Sequence, residues 1–378
     1  MQASGLKQIG IVFLGALLCG CGASIDSQTP SSSGAAAGKT AKPVLITTPA
    51  QNGAVIVSLG SSTPNSTVLY TLDGSTPSAS SASTIIYQAP FLVDSKLKVT
   101  ALATSTAPGL GTSLTATANF APIIASGMLV WSDEFTNSTG AKAQPDPQIW
   151  TYDTGTGGFG NDELENYCEW GSTAAPCDAA NANAFVDTAG ILHIVARRPS
   201  TGVYTSARMK TQSLFSFQYG RVEARMKLPE SQGMWPAFWL LGNNIATVNW
   251  PACGELDVME HIDGSNPQNW GYDWVQGSIH GTGLNGGTQY HPAGFSAADW
   301  HTYGLIWTKG RIQYYVDTPS NVYATFNAST EAGKWPFDDG PEFLILNLAV
   351  GGDWPGLPDA TTVFPSEVLV DYVRLYTN

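Results

Sequence analysis

Apolar and polar positions alternate with period two along much of this chain. In residues 221–228 the order Arg-Val-Glu-Ala-Arg-Met-Lys-Leu places Val222, Ala224, Met226 and Leu228 on one face and Arg221, Glu223, Arg225 and Lys227 on the other, as a half-buried β-strand requires. Residues 311–316 and the closing stretch 368–376 read as further strands, and nothing in this part of the chain has the pattern of a three-turn amphipathic helix. Upstream, the β-branched runs 54–57, 67–72, 84–87 and 97–102 are bounded by turn signals such as Asp73-Gly74. Sheets with one apolar and one wet face must stack, so the expected fold class is all-β, built from packed antiparallel sheets.

Tryptophan usage divides the chain. All 12 tryptophans lie between Trp131 and Trp354, which puts a boundary near residue 124. Residues 42–122 are expected to form a small all-β sandwich and residues 125–378 the working domain. At the start, Lys7 precedes the apolar run 9–18, too short to span a bilayer and right for the apolar part of a signal peptide. Leu18-Cys19-Gly20-Cys21 resembles a bacterial lipobox with Cys21 as the lipidated residue, although Cys19 stands where a small residue is more usual. Residues 1–21 are therefore set aside as a lipoprotein signal peptide. Residues 22–41, rich in Ser, Gly, Ala, Thr and Gln, read as a flexible linker that buries too little to order itself. The expectation is an exported protein at the cell surface or outer membrane, touching the membrane only through that lipid, with plain secretion as the alternative.

Charge and cysteine content narrow the chemistry. The 378 residues carry 17 Lys and Arg against 30 Asp and Glu, a formal charge of −13 that argues against nucleic-acid binding. Past the leader, Cys168, Cys177 and Cys253 remain. Cys168 and Cys177 flank a short loop and are expected to pair in an oxidising compartment, leaving Cys253 a buried free thiol.

The candidate chemistry lies in the run Gly254-Glu255-Leu256-Asp257-Val258-Met259-Glu260-His261. Leu256 and Val258 are expected to face the core, so Glu255 and Asp257 share the opposite face. Strict alternation would send Glu260 inside, where an unpaired charge is very costly. A β-bulge near Val258-Met259 would return it to the face of Glu255. Glu255 and Glu260 then sit effectively four positions apart, about 13 Å between α-carbons. Two inclined glutamates can close that toward the ~5–5.5 Å of retaining glycosidases rather than the ~6.5–9.5 Å of inverting ones. Glu255 is the expected nucleophile, Asp257 the carboxylate that orients and tunes its neighbours, and Glu260 the acid and then base.

These residues carry a resemblance. Residues 235–242 (Trp-Pro-Ala-Phe-Trp-Leu-Leu-Gly), the run 254–260 and residues 277–281 (Gly-Ser-Ile-His-Gly) resemble glycoside hydrolase family 16 in its laminarinase-like branch, and so do residues 131–135 and 347–352. The resemblance implies a β-jelly-roll sandwich with a concave substrate cleft and retaining endo-hydrolysis of β-1,3-glucosidic bonds in laminarin-like or mixed-linkage β-glucan. It also implies the same roles for Glu255, Asp257 and Glu260. Trp235 and Trp239, two strand repeats apart, are the expected floor for sugar rings. His280, Asn161, Glu165, Arg208, Trp274 and Trp354 are further substrate-binding candidates. Residues 70–77 and 98–101 make the upstream sandwich look like the immunoglobulin-like module appended to chitobiases and other exported carbohydrate enzymes.

Metal chemistry has one opening. The five histidines show no zinc-protease spacing and no paired cysteine clusters occur. Many members of the resembled family hold a structural calcium ion through a carboxylate of the closing strand, here Asp371, expected on the core face, with Glu134 as a second ligand. No organic cofactor is expected, and the chain is expected to act as a monomer on β-glucan polysaccharide. An agarase- or carrageenase-type hydrolase of the same fold, and a non-catalytic glucan-recognition protein, are the alternatives.

Overall fold

The segment 221–228 forms the strand Gly220–Lys227, with Val222, Ala224 and Met226 fully buried. Its charged face is wet only in part. Glu223 is 7% exposed, because Arg221 and the hydroxyls of Tyr315 and Tyr376 close over its carboxylate. The computed structural model describes residues 38–378 apart from 200–201, 263–270 and 272. The leader, Cys21 and most of the linker lie outside the described residues.

Two large antiparallel sheets form the main body. One runs in the order Ala184–Val186, Leu192–Ala196, Ser366–Tyr376, Gly220–Lys227, His301–Thr308, Arg311–Val316, Val322–Asn327, and Leu129–Asp133 also lies along Ser366–Tyr376. The other runs Leu284–Tyr290, Val275–Gly281, Glu255–Glu260, Met234–Gly242, Glu342–Val350, Arg208–Lys210, Thr151–Asp153. Strands adjacent in space are often distant in sequence, as in a double-sheet jelly roll. Between the sheets, Phe238, Leu240, Leu256, Leu344, Leu346 and Leu348 of the second meet Val222, Met226, Leu305 and Trp307 of the first. Burying one such side chain is worth about 1.5–3 kcal/mol, so this shared core fixes which face of the second sheet is left for chemistry. Among the described residues the α-helix is confined to Ile245–Val248.

The upstream sandwich pairs a sheet of Val44–Pro49, Val55–Gly60 and Phe91–Val93 with one of Ile85–Ile86, Ser66–Thr71, Leu97–Ser105 and Ala116–Phe120. Its core holds Val57, Val99 and Tyr70, the last stacked on Phe91 with ring centroids 4.9 Å apart. The module is seated on the larger body. Asn52 Nδ2 donates to the Leu129 carbonyl at 2.7 Å, the Leu92 amide donates to the Ser216 carbonyl at 3.0 Å, and Ala54 belongs to the main core. Cys168 and Cys177 are joined by a disulfide, and Cys253 is a buried free thiol.

Candidate active site

The strand Glu255–Glu260 is irregular at one step. Against Met234–Gly242 its register runs Trp239↔Asp257 and then Phe238↔Met259, and against Val275–Gly281 it jumps from Asp257↔Ser278 to Glu260↔Gln276. Val258 is the extra residue, so Val258 and Met259 both turn to the core, 1% and 0% exposed. Two consecutive apolar side chains on one side restore the parity, and Glu255, Asp257 and Glu260 line one cleft of about 300 Å³. The strand begins after Gly254, whose φ of +86° is a left-handed conformation, and a Cβ there would lie 2.9 Å from Pro336.

Each outer carboxylate has its own donors. Trp250 Nε1 donates to Glu255 Oε2 at 3.1 Å. Trp235 Nε1 donates to Glu260 Oε1 at 3.1 Å, and Ser278 Oγ donates to Glu260 Oε2 at 3.2 Å. His280 Nε2 lies 3.2 Å from Asp257 Oδ2 and 3.8 Å from Glu255 Oε1. All three carboxyl groups are nevertheless held above the ordinary carboxylate range, in each case by burial first. For Glu255 the charge of Asp257 adds to burial, while His280 and the Trp250 N–H oppose it. For Asp257 the added charges are those of Glu260 and Glu342. For Glu260 the Trp235 and Ser278 hydrogen bonds and His280 pull the other way. Such a cluster resists full ionisation and shares a proton, which is what a general acid must have to give.

The walls of the cleft are aromatic and amide. Trp235, Ala237, Trp239 and Leu241 alternate onto it from the neighbouring strand, and Asn347 and Ala349 from the strand beyond. Trp239 Nε1 donates to Asn347 Oδ1 at 2.8 Å. The Arg208 guanidinium lies over the rings of Trp239 and Phe159, at 4.6 and 5.2 Å from their centroids, and its Nε is 3.0 Å from Asp153 Oδ2. Asn161 Nδ2 donates to Glu163 Oε1 at 3.1 Å. A wider hollow of about 430 Å³ lies at another edge of the body, lined by Arg197, Arg198, Asp178 and Asn183. It holds no pair of carboxylates, so volume alone would choose the wrong place.

Comparison with known proteins bears on this geometry. The family model described as glycosyl hydrolases family 16 matches residues 172–374, more than half of the chain. The chain belongs to glycosyl hydrolases family 16. A β-glucanase of Rhodothermus marinus is 39% identical over 269 residues, 66% of this chain and 84% of that protein. Glucan endo-1,3-beta-glucosidase A1 of Niallia circulans is 35% identical over 288 residues, 68% of this chain but 38% of that protein. The laminarinase catalytic domain of Thermotoga maritima MSB8 superposes with a TM-score of 0.56 at 39% identity, covering 67% of this chain and 99% of that domain. Upstream, a model described as Fn3 associated matches residues 57–120, within the small sandwich.

Within this family 16 domain, several residues expected from the sequence sit elsewhere than expected. Glu165 does not reach the cleft: it is 1% exposed and its Oε2 accepts the Val350 amide at 2.7 Å, while Glu163, two residues earlier, lines the cleft instead. Burial beside Glu163 pushes the Glu165 carboxyl up to about 8. Trp274 is 1% exposed and packs edge-on against Trp354, which in turn packs edge-on against Trp235. Trp274 is thus enclosed, while Trp354 stands half-buried beside Trp235. Asp371 is not on the core face. The closing strand is bulged there, pairing Tyr372 with Arg225 but Val370 with Met226, so Val370 takes the buried position. Asp371 Oδ2 instead accepts from Arg225 at 2.7 Å, and Glu134 takes a two-pronged contact from Arg374 at 2.9 and 2.8 Å. With both carboxylates engaged by arginines, the pair does not fit a calcium ion, which needs six to eight free oxygens.

Sequence reasoning missed Trp250. It is 57% exposed, far more than a tryptophan of the core, and its indole caps Glu255. Only its place five residues before Glu255 could have drawn attention to it. Glu342 was missed as well: it is 1% exposed, its Oε2 has no hydrogen-bond partner, and burial and the Glu255 charge raise its pKa well above the ordinary range.

Proposed function

We propose that this chain is a retaining endo-β-1,3-glucanase acting on laminarin-like or mixed-linkage β-glucan. The observation that carries this is the bulge at Val258, through which Glu255 and Glu260 face one cleft beside Trp235 and Trp239. In the first step a Glu255 carboxylate oxygen attacks the anomeric carbon as Glu260 gives its proton to the departing glycosidic oxygen. A covalent glycosyl-enzyme results. In the second step Glu260, now a carboxylate, takes a proton from water, which displaces Glu255 with a second inversion. The Trp250 N–H and His280 favour the Glu255 anion, and burial makes loss of the Glu260 proton harder until the leaving oxygen needs it. Trp235 and Trp239 offer flat apolar faces on which sugar rings can stack.

The agarase and carrageenase alternative is weaker at this cleft. The cation lining it is Arg208, already beside Asp153, against the carboxyls of Glu163, Glu255, Asp257 and Glu260. A sulfated chain would meet like charge. A pure recognition protein would not need both outer glutamates. We also propose export and tethering through lipid on Cys21, a reading supported by the Cys168–Cys177 disulfide, since such bonds persist in oxidising compartments. The test is digestion of laminarin, lichenan, agarose and κ-carrageenan, followed by product sizing. Laminarin should fall early to a ladder of oligosaccharides. Release of glucose alone from laminarin, or faster cleavage of either galactan, would contradict the proposal.

A further inference from the structure

The same trio presents a metal-ion geometry. Glu255, Asp257 and His280 each offer one ligand atom, and these three atoms lie within 4.8 Å of one another. His280 Nε2 is 3.2 Å from Asp257 Oδ2 and 3.8 Å from Glu255 Oε1. A tetrahedral ion with ligands at 2.0–2.2 Å sets its ligand atoms about 3.3–3.6 Å apart, which the two His280 distances match to within a few tenths of an ångström, while the Glu255 and Asp257 oxygens, within 4.8 Å, close the set by rotation of the Glu255 side chain. A second observation points the same way. Asp257 is 4% exposed, and its Oδ2, although close to His280, makes no hydrogen bond. A buried carboxylate oxygen left in that state gains from a cation. His280 and Glu255 are 28% and 17% exposed at their side chains, which leaves an approach from the cleft.

We propose that Glu255, Asp257 and His280 form a zinc-binding site that shuts the enzyme off reversibly. One imidazole with two carboxylates suits zinc, whereas calcium and magnesium require all-oxygen shells with more ligands than these three residues supply. An ion held here takes the oxygen lone pair with which Glu255 would attack the anomeric carbon, and it occupies the space of the sugar being cleaved. Zinc and glucan therefore exclude one another. The inhibition, though not the binding, rests on the reading of the trio as the catalytic centre.

The experiment titrates zinc chloride into the chelator-treated full chain by calorimetry and measures laminarin hydrolysis at the same zinc concentrations. Because His193 lies 3.4 Å from Asp187 and 2.9 Å from Glu367, a His193→Gln background removes that competing surface group. In this background one zinc ion should bind, the apparent KM for laminarin should rise with zinc while kcat holds, and calcium or magnesium at equal concentration should do neither. His280→Gln, and independently Asp257→Asn, should each weaken zinc binding at least tenfold. Zinc binding unchanged in both variants, or matched by calcium, would overturn the site. Zinc binding that both variants weaken, with no inhibition of hydrolysis, would uphold the metal site and sink the catalytic reading of the trio. No zinc binding in a protein whose Glu255→Gln variant is inactive would do the reverse.

Discussion

Glu255→Gln is expected to lower kcat on laminarin by at least about 10⁴-fold, the scale on which loss of a covalent nucleophile is felt. The amide keeps the size of the carboxyl and can still accept from Trp250, so the cleft should keep its shape. It cannot attack the anomeric carbon. The loss should be as severe on an aryl β-glucoside with a good leaving group as on laminarin, because attack precedes any help to the leaving group. Stability should move the other way. Burial and the Asp257 charge hold the Glu255 pKa above the ordinary range, so ionising it costs more in the folded protein than in the unfolded chain, and its contribution to stability falls as pH rises above about 4.3. Replacing it with a neutral group removes that loss, and thermal melting at pH 7 should show a variant no less stable than the parent. An inactive variant that is also strongly destabilised would mean that Glu255 holds the fold rather than the reaction.

Glu260→Gln should leave a different signature. Without the acid, kcat on laminarin should fall about 10²–10⁴-fold. An aryl substrate whose leaving group needs no proton should still form the glycosyl-enzyme, giving a burst of phenol followed by slow turnover. Rapid-mixing absorbance on the two variants separates the roles: a burst in Glu260→Gln and none in Glu255→Gln is expected. The opposite pattern would exchange the two assignments.

The sequence made the trio legible because burial and alternation conflict at Glu260, and a bulge is the economical solution. The residue counted as extra, Val258, is apolar, so turning it and Met259 inward costs nothing. Trp235 and Trp239 were readable for the same reason, being on one parity of a regular strand. Parity fails where the chain is irregular. Glu163 and Glu165 lie in a loop between Gly158–Gly160 and Asn166–Tyr167, where no strand periodicity tells which carboxylate turns toward the cleft. Asp371 was misplaced because Val368, Leu369 and Val370 are all apolar, so the local pattern fits either phase and the bulge that decides it leaves no mark. Trp250 depends on a loop folding back over Glu255, a contact set by tertiary packing. Glu342 is a carboxylate at the head of a strand that is apolar apart from Asn347, where pattern alone would predict solvent.

The stereochemistry of cleavage tests the account at its centre, because it reports directly on whether one carboxylate attacks while the other gives a proton. Proton NMR of laminarin freshly exposed to the intact enzyme should show the β-anomer of the new reducing ends first, with the α-anomer appearing only at the rate of mutarotation. Reducing ends that appear first as the α-anomer would mean that water attacks in one step, and Glu255 would no longer be a nucleophile.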